Sequence, residues 1–200
     1  MQIPEFSPEL LKILIPAIFT LLGVLLGNYL TYRNSYNLFT KQKTFDNQRI
    51  SFSRIMSLKI PWTQAIHTNI EAKLLTEFYE TRYLLFSHDE EDLIESKKQY
   101  ERALLLIKDI SREQKEVFET LGLIQTCFKV DKELQIAIDD MFNYESIDVS
   151  PFPKNFKTIN ELDEYLKKQS TSIHPLIKRE YRDKFDNLIA ILKPRLISSK

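Results

Sequence analysis

The sequence predicts an all-α protein carried on one membrane-spanning helix, and three observations predict it. Only 3 Gly occur in 200 residues, and two of them fall inside a single apolar run. The long segments between the few prolines place apolar residues three and four apart, with no strand-like alternation. Residues 13–32, ILIPAIFTLLGVLLGNYLTY, contain no charged side chain. The expected architecture is an N-terminal transmembrane helix followed by a cytoplasmic antiparallel bundle of four or five helices.

Taken in chain order, residues 1–12 read as a short extracytoplasmic N-terminus, with Glu5 and Glu9 against Lys12. Residues 13–32 then form the span, since about twenty residues at ~1.5 Å rise cover the ~30 Å hydrocarbon core. The acidic leader and the lack of a small-x-small cleavage pattern argue for an uncleaved anchor over a signal peptide. Arg33, Lys41, Lys43 and Arg49 follow the span. By the positive-inside rule they hold the C-terminal domain in the cytoplasm, as in a single-pass protein of the cell inner membrane. Tyr29 and Tyr32 supply an interfacial belt at the inner face. The lone Cys127 has no partner for an internal disulfide, which agrees with a reducing compartment. The abundant Ile, Lys, Phe and Tyr suit a bacterial protein.

Residues 33–60 read as a juxtamembrane basic helix, with six basic side chains against Asp46 alone. Arg33, Lys41 and Lys43 are placed to contact anionic lipid headgroups. Leu38, Phe45 and Phe52 recur every seven residues, followed by Ile55 and Met56, which makes a seam suited to a partner helix. Pro61 is expected to break this rod, because proline disfavours α geometry in the residue before it.

Residues 61–200 are assigned to the bundle, and the roughly 165 residues beyond the anchor are enough for one helical core. A helix is expected from about Trp62 to Phe86, with Ile66, Ile70, Leu74, Phe78 and Leu85 inward. Ser87-His-Asp-Glu90 reads as a capping box opening a long helix from about His88 to Phe128. Its expected inward residues are Leu104, Ile107, Ile110, Val117, Leu121 and Ile124, and Gly122 is a point of weakness. Asp131 reads as the next N-cap, for a short helix carrying Leu134, Ile138, Met141 and Phe142 on one face. Asn143 to Asn155, with Pro151 and Pro153, is a loop. Thr158-Ile-Asn-Glu161 is a second capping box. The last helix should end or kink near His174-Pro175 and resume through Ile177, Tyr181, Phe185, Leu188 and Leu192.

The 28 basic and 28 acidic residues cancel overall but are segregated along the chain. Residues 61–96 hold eight acidic and two basic side chains, whereas residues 151–200 hold eleven basic and six acidic ones. The basic C-terminal segment is read as a solvated helix face, with nucleic acid as the rival partner.

The motifs of common catalytic sites are missing. The sequence has no glycine-rich phosphate loop, paired-cysteine spacing, HExxH or GxSxG, and it calls for no cofactor and no metal. His67, His88 and His174 show no ligand spacing to one another.

Two patterns remain. Gly23-Val-Leu-Leu-Gly27 is a GxxxG within the span, and Thr20 and Thr31 extend it by one step each way. Small residues four apart let two helix backbones approach closely, so the span is expected to self-associate. In a ring, Asn28 and Thr31 would line a polar constriction. The second pattern is Arg82-Tyr-Leu-Leu-Phe-Ser-His88, an arginine and a histidine separated by five residues. Ribonuclease chemistry at a ribose 2′-OH uses histidine for proton transfer and arginine to hold the phosphate. The alternative pairs Arg82 with a carboxylate such as Glu119 or Asp139, and places His88 in a helix's first turn.

The Arg82–His88 spacing resembles the R-x4–6-H motif of HEPN domains, helical bundles that dimerise to form a ribonuclease site. With the anchor, the chain resembles the membrane accessory proteins of some RNA-targeting CRISPR effectors. That resemblance implies a HEPN-like domain behind a membrane segment, assembling into rings that compromise the membrane, with Arg82 and His88 as the catalytic candidates.

The leading expectation is a non-enzymatic, membrane-anchored protein acting through protein contacts as a homo-oligomer, either a scaffold or a membrane-perturbing effector. Its partners would be membrane lipid, copies of itself and an unidentified cytoplasmic protein. The competing expectation is a membrane-tethered HEPN-like ribonuclease or defence accessory protein. A third is a nucleotide or RNA sensor built on Lys178, Arg179 and Arg182.

Overall fold

A computed structural model describes residues 8–197 of the chain. All its regular elements are helical, with no strand among the described residues. They are α1 (Pro8–Arg82), a π-helical turn (Tyr83–Ser87), α2 (Glu90–Cys127), α3 (Lys132–Phe142), α4 (Ile159–Ile177), a second π-helical turn (Lys178–Asp183) and α5 (Lys184–Ile197). The chain divides into two compact units, Met1–Asp46 and Asn47–Lys200. Residues 1–7 of the expected N-terminal segment lie outside the described residues.

The first unit is bare helix. Its one described element is long and apolar enough to cross a membrane. From Leu14 to Thr44 every side chain is exposed. Leu38 of the expected seam is exposed and Phe45 half-buried.

The second unit holds the core. Ile55, Leu58, Trp62, Ile66, Ile70, Leu74 and Phe78 of α1 are buried at spacings of three and four. They pack with Val117, Leu121 and Ile124 of α2, Leu134, Ile138 and Met141 of α3, and Ile177, Tyr181, Phe185, Leu188 and Leu192 of the C-terminal segment. Trp62, 1 % exposed, meets Tyr144, Tyr181 and Phe185 edge-on at 5.4–5.6 Å between ring centroids. Each such side chain removed from water contributes about 1.5–3 kcal/mol.

α1 and α2 run antiparallel, and three polar side chains set their register. Gln48 donates to the Cys127 carbonyl (2.8 Å), Asn69 to that of Ala103 (2.7 Å), and Ser96 to that of Thr76 (3.2 Å).

Four expectations are corrected. Pro61 does not break the rod, and α1 passes through it to Arg82. Both Pro61 and Ser57, whose carbonyl loses its helical donor, lie on the exposed side, where water can satisfy it. The burial of Leu58 and Trp62 on the other side holds the helix together across the proline.

Ser87 is not the cap of α2. His88 takes the left-handed conformation (φ 45°) at the end of the first π turn, so the cap falls two residues later and Asp89 caps the helix, accepting from the Glu91 N–H.

Leu104 and Ile107 point outward, 46 % and 45 % exposed. The inward stripe at this end of α2 is Asp92, Ser96, Gln99 and Ala103, polar or small residues that a search for apolar spacing passes over. Phe142 likewise ends up on the outside of α3.

The C-terminal helix does not stop at Pro175. α4 continues to Ile177, and the change of register comes in the π turn that follows. The remaining caps match the expectation: the Asp131 carboxylate accepts from the Leu134 N–H (2.9 Å) and the Thr158 hydroxyl from the Glu161 N–H (3.3 Å).

Candidate functional site

Three places in the fold concentrate chemistry. The first is the ion pair that claims Arg82. Its guanidinium grips Asp92 through Nε (2.8 and 2.9 Å to the two carboxylate oxygens) and through the second nitrogen, Nη2. Ser87 donates a further hydrogen bond to the same carboxylate. Asp92 is only 2 % exposed, and the Arg82 guanidinium lies 5.1 Å and 5.6 Å from the ring centroids of Tyr79 and Phe78. The hydrogen bonds from Arg82, aided by Ser87, hold the Asp92 carboxyl below its usual range, and the same contact raises Arg82.

Asp92, and neither Glu119 nor Asp139, is therefore the partner of Arg82. Glu119 pairs with Arg54 and Lys115, and Asp139 accepts from Gln135. His88 is exposed and stands edge-on to Tyr83, 6.0 Å between centroids. The guanidinium is spent on a buried carboxylate and packed between the helix ends, while the imidazole faces solvent.

The second place is a cleft in the second unit, about 660 Å³ in volume, between α1 and the C-terminal segment. One wall is the α1 stripe Met56, Lys59, Ile60, Thr63, Gln64 and His67. The other runs from His174 through Lys178 and Arg182 in the second π turn to Asp186 and Ile189 in α5. Although distant in sequence, His67 and His174 meet edge to face at 5.6 Å. Lys59 is paired with Asp186, and His67 Nδ1 lies 3.6 Å from Glu71. Lys178 and Arg182 are exposed and have no ion-pair partner among the described residues. Arg179, the third basic residue of that segment, does not line the cleft and pairs with Glu180 and Glu145. No sequence signal ties His67 to His174, because spacing along the chain says nothing about which helices become neighbours.

Behind that wall, Glu180 is buried and salt-bridged to Lys184 (2.9 Å) and Arg179 (2.7 Å). The Lys184 hydrogen bond above all, with Arg179 and the Glu145 N–H, lowers its carboxyl to about 2. Burial pushes the neighbouring Tyr181 hydroxyl up to about 12.

The third place is the exposed face of the first unit. On an α-helix at 100° per residue, Thr20, Gly23, Gly27, Thr31, Leu38 and Phe45 fall within about 80° of one another. The Thr20 and Thr31 hydroxyls are satisfied internally by the carbonyls of Pro16 and Gly27, both at 2.8 Å. A Cβ added at Gly23 or Gly27 would meet nothing within 4 Å, so no packing inside the chain calls for glycine at either position. Arg33, Lys41 and Lys43 stand exposed just beyond the uncharged apolar stretch.

Comparison of the chain with protein families, curated proteins and solved structures returned no match.

Proposed function

We propose that this protein is a single-pass membrane protein of the inner membrane whose helical domain lies in the cytoplasm and which works as a homo-oligomer through protein contacts, as a scaffold or a membrane-perturbing effector. The observation that carries this reading is the bare helix of the first unit. A lone helix is marginal in water without an apolar face to pack. Lipid accounts for the stretch to about Tyr32, but beyond it Tyr36, Leu38 and Phe39 remain 60 %, 68 % and 66 % exposed. A second copy suits this surface because spans anchored in one bilayer enter the cytoplasm at the same residue, so parallel helices meet in register. The small-residue stripe and Leu38 share one face of one unbroken helix, so close backbone approach in the lipid leads directly into side-chain packing beyond it.

Arg33, Lys41 and Lys43 support the orientation and a contact with anionic lipid. On α2, the exposed Leu93, Ile94, Tyr100, Leu104, Leu105 and Ile107 offer a further apolar surface in the cytoplasmic domain for protein contact. The ribonuclease reading finds less support. A catalytic arginine has to be free to meet a phosphate, and Arg82 is committed to Asp92.

Cysteine cross-linking in isolated membranes tests the proposal. In a Cys127→Ser background, Leu38→Cys should form a disulfide-linked dimer on oxidation, whereas Thr40→Cys, about 160° away on the opposite helix face, should not. Equal cross-linking at both positions, or none at either, would remove the register-matched contact.

A further inference from the structure

We infer that the cleft between α1 and the π turn of Lys178–Asp183 is a binding site for a phosphate ester carrying an apolar or aromatic body. Its volume of about 660 Å³ is of the size of small-molecule sites and far more than a bare ion needs. Its lining has two chemistries. Met56, Ile60, Ile177 and Ile189 supply apolar wall, with Met56 49 % and Ile60 69 % exposed to the open space. Lys59, Lys178, Arg182, His67 and His174 supply hydrogen-bond donors, against Asp186 as the one carboxylate of the lining.

Within this set the pairings separate scaffold from ligand contacts. Asp186 neutralises Lys59, and the Thr63 hydroxyl is spent on the Lys59 carbonyl at 2.7 Å. That leaves Lys178 and Arg182 as two uncompensated cations one helical turn apart, on the same wall as His174 and across the cleft from His67. A guanidinium fork, an ammonium and two ring N–H donors suit the several acceptor oxygens of a phosphate better than the two of a carboxylate.

The backbone gives an independent reason. The cationic wall is built on a π-helical turn, a local departure from α geometry that is frequent at functional sites. The irregular turn carries Lys178 and Arg182 on the cleft side and buries Glu180 and Tyr181 on the other. Glu180, tied to Lys184 and Arg179, braces the turn from behind.

A soluble nucleotide and a phospholipid headgroup with its proximal chains share this chemistry, and titration calorimetry on the full chain in phosphatidylcholine nanodiscs distinguishes them. One arm uses adenosine monophosphate and the other dihexanoyl phosphatidic acid, with inorganic phosphate and empty discs as references. At least one ester should bind about tenfold or more tighter than inorganic phosphate, since only the ester covers the apolar wall. The Lys178→Ala/Arg182→Ala protein, altered at two exposed positions, should lose about tenfold or more of that affinity while melting like the parent. Lys168→Ala, at an exposed position outside the lining, should bind as the parent does. Failure of both esters to bind below about 1 mM, binding no tighter than inorganic phosphate, or an unchanged affinity in the double variant would each overturn the site.

Discussion

The two ends of α1 belong to one helix and obey opposite rules. From Leu14 to Thr44 it buries no side chain, and leucines, isoleucines and tyrosines stand outward together. From Gln48 onward the same helix hides every third or fourth residue, and Ile55, Trp62 and Ile66 sit at the centre of a packed core. Helix propensity does not separate the two stretches; their surroundings do. In the body, water drives apolar groups inward, whereas in the proposed span lipid would be as apolar as the side chains and association would rest on close backbone approach. A substitution should therefore cost folding energy in one region and assembly in the other.

The largest effect on folding is expected at the centre of the body. Trp62→Ala removes the ring that Tyr144, Tyr181 and Phe185 surround, and should lower the unfolding free energy by about 3–5 kcal/mol in denaturant titration of the detergent-solubilised protein. Next comes Arg82→Ala, which strands the Asp92 carboxylate in a buried position and should cost about 3 kcal/mol. The Arg82→Ala/Asp92→Ala pair should lose less than the sum of the single variants. If the two losses simply add, the ion pair is not the reason for Arg82.

A smaller effect is expected at Glu180. Its carboxyl is ordinarily near 4.5 and is lowered to about 2 in the fold, chiefly by Lys184. The stability it contributes is present above pH 4.5 and is lost as pH falls toward 2. Glu180→Gln should destabilise by about 2 kcal/mol at neutral pH, and the gap between its melting temperature and the parent's should close across that acid range. A gap that stays constant down to pH 2 would place the role of Glu180 in its shape and not its charge. Least of all should folding respond to Leu38→Ser, which should change the stability of the body by less than about 0.5 kcal/mol yet lower the mass of the protein extracted in mild detergent.

The sequence makes local features legible and long-range ones hardly at all. The caps at Asp131 and Thr158 are readable because donor and acceptor lie within one helical turn. The long apolar N-terminal helix is readable because its pattern is unbroken. The buried stripe from Ile66 to Phe78 is readable because burial there follows helical period. The continuation through Pro61 is not, because it depends on Trp62 finding three aromatic partners from distant segments. The sequence suggests Glu119 or Asp139 as the partner of Arg82, yet it is Asp92, in the first turn of α2 just past the left-handed His88. The cleft between α1 and the C-terminal segment is the hardest case. Its imidazole pair and cationic wall exist only because α1 and the C-terminal segment pack side by side.

Self-association along the anchor is the central claim, and the mass of the full-length protein extracted in mild detergent, measured by light scattering, tests it most directly. Gly23→Leu/Gly27→Leu is the matched variant, because added side chains there disturb nothing within the chain. A discrete oligomer that falls to monomer in the variant is the expected result, and six or more subunits would favour a membrane-perturbing ring over a scaffold. A monomeric parent, or a variant of undiminished mass, would contradict it.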